Sequence, residues 1–147
     1  MGISGYWYNE LNSQMELTQS GGDVWGTYYT AVGTASGLYT LTGQVDANPY
    51  SYSQALGWAV AWNSAYVNAH SATAWSGQYQ TIGGKEEIVA FWLLTSEQIE
   101  ENDWEATLVG KDVFTRDPPS PEDVEKARVK IAKSHPAAAK PESADTE

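Results

Sequence analysis

The sequence predicts an all-β domain: an eight-stranded antiparallel up-and-down β-barrel with a ligand pocket at one end. Three observations carry this reading. Short runs with apolar or aromatic residues in period two recur along the chain at spacings of roughly 10 to 15 residues. Turn signals rich in Gly, Asn, Ser or Pro separate most of them. Nothing between the runs resembles a crossover helix. Eight strands can close into a barrel wide enough for one small ligand, and closure removes the edges that invite aggregation. An open sandwich built from the same strands is the second reading.

Residues 5–11 read as the first strand, with Trp7, Asn9 and Leu11 on one face and Tyr6, Tyr8 and Glu10 on the other. Residues 14–19 make the second, with Met15 and Leu17 sharing a face, and Ser20-Gly-Gly-Asp23 is a hairpin turn. The third strand, 23–31, holds Tyr28 and Thr30 together. A Gly/Ser loop leads into the fourth, 37–46, which ends at a turn around Asn48-Pro49. The fifth, 54–62, places Leu56, Trp58, Val60 and Trp62 in strict alternation.

The sixth strand, 68–79, puts Ser71, Thr73 and Trp75 on one face and Ala72, Ala74 and Ser76 on the other. Two hydroxyls and an indole suit a dry core poorly, because each buried hydroxyl needs a partner. They suit the wall of a pocket for a small molecule with a polar head and an apolar body. Gly83-Gly84 turns the chain into the seventh strand, 86–95, with Ile88, Ala90, Trp92 and Leu94 in phase. Residues 96–103 form an acidic loop or one short helical turn, and 107–115 closes the series with Leu108, Gly110, Asp112 and Phe114 together.

The composition changes at Asp117. Pro118-Pro-Ser-Pro121 breaks the last strand, and Ser120 can cap a helix that starts at Pro121 with Glu122 and Asp123 in its first turn. Val124, Ala127 and Ile131 give that helix a weak apolar stripe, and beyond Ser134 the Ala/Pro/Glu/Ser mixture reads as disordered. The expected division is a barrel domain over 1–116 and an appendage over 117–147.

Composition excludes several functions. With 147 residues and no cysteine, the chain is one domain without disulfides, thiolate nucleophiles or zinc-thiolate sites. A net charge of -11 argues against nucleic acid and anionic membrane as partners. Neither a spanning apolar run nor a basic-then-apolar leader is present. Seven tryptophans and nine tyrosines against two phenylalanines favour apolar walls with polar handles, as ligand sites use. Pooled by phase, Asn9, Ser13, Tyr28, Thr30, Ser71, Thr73 and Asp112 supply polar groups, and Trp62, Trp75, Trp92 and Leu94 supply walls. Trp7 and Trp58 read as barrel-floor core, and His70 as an exposed or interface residue.

Six segments in chain order carry a resemblance: Gly5-Tyr-Trp-Tyr-Asn-Glu-Leu-Asn-Ser13, Gly26-Thr-Tyr-Tyr-Thr-Ala-Val-Gly33, Ala55-Leu-Gly-Trp-Ala-Val-Ala-Trp62, the sixth strand, Trp92-Leu-Leu-Thr-Ser96 and Trp104-Glu-Ala-Thr-Leu-Val-Gly-Lys-Asp112. Together they resemble the successive strands of the avidin and streptavidin family over about residues 3 to 116. The resemblance implies a secreted biotin-binding barrel without cofactor, taking biotin and biotinylated molecules as partners and assembled as a homotetramer of two dimers.

Carried over position by position, the resemblance makes Asn9, Ser13 and Tyr28 the donors around the ureido oxygen. Asp112 and Thr30 would accept the ureido N–H groups, and Thr73 would lie beside the thioether. Trp62, Trp75 and Trp92 would pack the rings and chain, Ser71 and the backbone at Thr34 and Ala35 would receive the carboxylate, and Trp104 would close a neighbouring subunit's site. Leu11, Val32, Leu94 and Leu108 match further apolar contacts.

The sequence departs from the pattern at Thr34-Ala-Ser-Gly37, where the carboxylate loop differs, and at Ala74, where threonine is usual. Phe91, Val109 and Lys111 fall at the weaker dimer-dimer contact, where Phe91 adds apolar area and Lys111 can repel its symmetry mates. The alternative from another class is a pocket hydrolase acting on small biotin-like esters, built on Asp112 and Tyr28. It has no second inward carboxylate and no histidine in phase with the serines.

Overall fold

Alternation of inward and outward side chains closes the chain on itself. In the computed structural model, which describes residues 2–30, 37–98 and 106–130, eight strands form a closed barrel in chain order. They are β1 (Gly5–Tyr8), β2 (Gln14–Ser20), β3 (Asp23–Thr30), β4 (Gly37–Val45), β5 (Gln54–Asn63), β6 (Asn68–Ile82), β7 (Lys85–Ser96) and β8 (Thr107–Thr115). Every neighbouring pair is antiparallel. The barrel reading therefore holds and the open sandwich does not.

The predicted phases hold along each strand. Met15 and Leu17, Tyr28 and Thr30, Leu56 through Trp62 in alternation, Thr73 and Trp75, and Ile88 through Leu94 in alternation all face inward and are buried. Trp7, Trp58 and Phe114 fill the closed end, as expected for the first two, with Trp58 edge-on to Phe114. The β6–β7 hairpin turns on Gly83 and Gly84, whose φ of 60° and 82° are the left-handed values that a two-residue turn demands and side chains resist.

The first strand is shorter than the alternation suggests. It stops at Tyr8, and residues 9–12 turn, with Asn12 at φ 66°. The phase of Asn9 and Leu11 survives because both still bury inward. The short strand leaves β1 joined to β8 by one register pair, Tyr8 with Thr115. Side chains complete the seam. Glu10 Oε1 accepts from the Val113 N–H at 3.1 Å. The Arg116 guanidinium donates to the carbonyls of Ser4, Tyr6 and Gly2 and to Glu86, and lies 3.8 Å over the Trp7 ring.

Beyond the barrel, α1 (Pro121–Lys130) starts as predicted, with Ser120 Oγ accepting from the Asp123 N–H at 3.0 Å. None of its residues is buried, in keeping with its weak stripe. The expected tail disorder beyond Ser134 and most of the acidic 96–103 loop lie outside the described residues.

Candidate functional site

The turn that shortens β1 builds the first part of the site. Asn9 Oδ1 accepts from the N–H groups of Leu11 at 3.0 Å and Ser13 at 2.9 Å. The amide oxygen is thus spent on the turn, which fixes the side-chain flip and leaves Nδ2 as the end that faces inward. Nδ2 lies 3.4 Å from Asp112 Oδ1. Ser13 follows the turn and is buried, its hydroxyl donating to Thr30 Oγ1 at 3.3 Å.

Tyr28 comes from the inner face of β3. Its hydroxyl is buried without a hydrogen-bond partner in good geometry. Burial first and the Asp112 carboxyl second hold its pKa well above that of a free phenol, with the nearby Ser13 hydroxyl pulling the other way. Tyr28 therefore stays protonated and can only donate or accept as a neutral phenol.

Asp112 of β8 sits opposite. Only 2% of it is exposed, Oδ2 accepts from Trp75 Nε1 at 2.9 Å, and Oδ1 faces Asn9. Burial, followed by the charge of Glu10, raises its pKa to about 8, against the opposing pull of the Trp75 and Asn9 donors. The raised pKa favours the neutral carboxyl at pH 7, a property set by burial and by Glu10 rather than by residue type.

Around this polar tier stand the indoles. Trp75 stacks on Trp58 at 5.3 Å and 12°, and Tyr28 packs against both Trp62 and Trp75. Trp62 Nε1 donates to Thr73 Oγ1 at 2.8 Å, which fixes the ring across β5 and β6. Trp92 lies over Gly110, where a Cβ would stand 2.2 Å from the ring, so β8 must carry glycine there. The Trp58 and Trp92 Nε1 groups are buried without partners.

The structure thus brings together Asn9, Ser13, Tyr28, Thr30, Thr73 and Asp112 as polar groups, with Leu11, Trp62, Trp75, Trp92 and Leu94 as buried walls. Ser71 joins them in phase, its Oγ buried and unpartnered nearer the open end. Leu108 shares the inward phase but lies at the strand end, 41% exposed. Val32, Thr34, Ala35 and Trp104 lie outside the described residues. Four contributors escaped the sequence reading: Tyr39, Trp58 as a stacking partner, Glu10 as the charge beside Asp112, and Arg116 in the seam. Only Tyr39 had a usable signal, its alternation with Leu41 on β4.

A cleft of about 590 Å³ opens instead at the closed end, between Gly2, Gln19, Tyr52, Gln54, Tyr79 and Thr81. Its polar side chains are already engaged: Gln19 with the Ile3 N–H and the Gly21 carbonyl, Gln54 with the Asp46 carbonyl and Tyr79 with Glu86. The convergent groups with capacity to spare are those inside the barrel. No trio of His, Cys, Asp or Glu converges as a metal site among the described residues. His70, exposed on β6 at φ 54°, pairs with Glu97 at 3.5 Å.

Comparison with known proteins adds a family to this geometry. The avidin family model matches residues 1–117. The chain belongs to the avidin family. It is 36% identical over 119 residues to Avidin-related protein 4/5 of Gallus gallus, covering 78% of this chain and 77% of that one. Avidin of Gallus gallus is 33% identical over 121 residues with the same coverage, and Afifavidin of Afifella pfennigii 29% over 120 residues, covering 74% and 70%. The match ends where the Pro-rich break begins, so this avidin-family chain carries α1 beyond the matched region.

Proposed function

We propose that the barrel binds biotin without transforming it. The observation that carries this is the polar tier of an avidin-family chain. An amide donor fixed by its own turn, Asn9, and the Ser13 and Tyr28 hydroxyls converge near a buried acceptor, Asp112, at one end of a tryptophan-walled interior. A cyclic urea complements that set, since its carbonyl takes several donors and its N–H groups need acceptors. Asp112 and Thr30 would take those N–H groups. Thr73 would lie beside the thioether, Trp62, Trp75 and Trp92 would pack the bicycle and chain, and Ser71 would take the carboxylate with the backbone at 34 and 35.

The same occupancy argues against a hydrolase acting on small biotin-like esters. Both Asp112 oxygens are turned to protein donors, Trp75 Nε1 and Asn9 Nδ2, rather than to a position from which they could activate water.

Assembly as a secreted homotetramer, with Trp104 closing a neighbour's pocket, belongs to the same proposal. The outer face of β7 and β8 supports an interface, because Phe91 (62% exposed), Leu93 (53%) and Val109 (66%) form an apolar patch there. Lys111 Nζ lies 5.9 Å from the Phe91 ring centre, a cation–π arrangement that eases its burial among symmetry mates. The segment from 117 is proposed as an appendage without a part in binding.

Calorimetric titration tests the reading by comparing biotin with diaminobiotin, in which the urea is opened to two amines. Tight binding of biotin and loss of at least about 1,000-fold with diaminobiotin are expected, because the tier would face cations instead of a carbonyl. Equal affinities would remove the urea from the account.

A further inference from the structure

We infer that the outer face of β1, β2 and β3 is a second binding surface, a platform for the flat face of a neutral, hydroxyl-bearing polysaccharide. The inference concerns the outside of the barrel and stands independently of the biotin reading.

The alternation that buries Trp7, Met15 and Tyr28 turns Tyr6, Glu16, Trp25 and Tyr29 outward. Tyr6 is 48% exposed, Trp25 46% and Tyr29 45%. Register fixes what lies between the rings. Glu16 pairs with Tyr6 on one side and Thr27 on the other, Thr18 pairs with Trp25, and Gln14 separates Tyr8 from Tyr29. On the far side, Trp25 pairs with Thr42 and Tyr29 with Leu38 of β4. Leu38 apart, each ring is therefore set among hydroxyl, amide or carboxyl groups. With strands about 4.8 Å apart and about 3.4 Å per residue along each, Tyr6, Trp25 and Tyr29 mark a triangle with sides of roughly 12–14 Å. One small molecule cannot reach all three rings, whereas an extended polymer can.

Charge narrows the partner. The chain carries a net charge of -11, yet Glu16 is the only charged residue among these paired positions. It takes part in none of the ion pairs among the described residues. Such a face has little to offer a polyanion or a polycation. It also differs from the β7–β8 patch, where the exposed side chains of Phe91, Leu93 and Val109 carry no polar atoms and suit another protein surface. Ring faces interleaved with hydroxyls match a sugar. The C–H face of a pyranose packs on the negative face of an aromatic ring. Its hydroxyls can donate to Glu16 and exchange hydrogen bonds with Thr18, Thr27 and Gln14.

The test is depletion of the full chain from solution by microcrystalline cellulose at high salt, with soluble cello-oligosaccharides as competitor. The double variant Trp25→Thr, Tyr29→Thr removes two rings and substitutes the residue that already recurs on this face and favours strands. We expect the wild type to be retained and then released by the competitor. The double variant should bind at least about 10-fold more weakly, with its circular dichroism unchanged.

A wild type that stays in solution would overturn the inference, as would equal retention of the two proteins or retention abolished by salt. A smaller oligomer in the double variant by light scattering, without cellulose binding by the wild type, would assign the face to a second copy of the chain and overturn it too. Each of these outcomes leaves the biotin reading untouched, because the inner face is common to both proteins.

Discussion

Replacing Asp112 with alanine removes one acceptor that serves three donors in the proposed complex. Two are in place already, Trp75 Nε1 at 2.9 Å and Asn9 Nδ2 at 3.4 Å, and the third is a ureido N–H. In the empty variant, water can enter the mouth and solvate the two protein donors. A bound ligand expels that water, so the complex bears the penalty. A lost hydrogen bond to a charged group costs about 1.5–3 kcal/mol and an unsatisfied buried donor about 1–3 kcal/mol. One of each gives about 2.5–6 kcal/mol, or roughly 60- to 20,000-fold in affinity. The fold should survive, since the change deletes a carboxyl that is costly to ionise at its site. The assay is the release rate of a fluorescent biotin conjugate chased with free biotin, with circular dichroism to confirm the barrel. Release within threefold of the wild type from a folded variant would refute the reasoning.

Binding should also move a proton. Asp112 in the empty barrel has its pKa raised to about 8, and its ionised form is the better acceptor for a ureido N–H. Complex formation at pH 7 should therefore release a proton, and affinity should climb with pH toward about 8 and then level off; calorimetry in buffers of different ionisation enthalpy would contradict this by showing no buffer dependence. Folding has the opposite sign: the contribution of Asp112 to stability is fully present below the ordinary carboxyl pKa of 3.8 and is lost as pH rises from there through about 8. Arg116→Ala should lower stability by about 2 kcal/mol through loss of the β1–β8 seam and the Trp7 contact, or roughly 6–10 °C in Tm, with an unchanged melt showing the seam to be idle. Trp104→Ala should speed biotin release and loosen the assembly, read by a chase assay and by light scattering; an unchanged release rate would argue against a shared pocket.

Strand phase was the most legible property, because a barrel wall has one wet and one dry side and each slip would invert it. Leu56 to Trp62 and Ile88 to Leu94 show this directly. What alternation could not show was the end of β1, since Asn9 leaves the strand yet keeps its inward phase through its own turn. Asp112 was legible as an inward acceptor but not as a neutral one, because its protonation depends on Glu10 and on burial created by distant strands. Arg116 looked like the end of a strand. Its role arises only when Ser4, Tyr6, Gly2 and Glu86 gather around it, a meeting of segments more than 100 residues apart for the first three and 30 for the last.

The central claim is that the tryptophan-walled interior of this barrel is a biotin site. Titrating biotin into the full chain while following indole emission tests it directly, because Trp62, Trp75 and Trp92 line that interior. The account predicts a change in emission that saturates at one biotin per chain. No change in emission with biotin in large excess, from a protein whose circular dichroism reports an intact barrel, would contradict it.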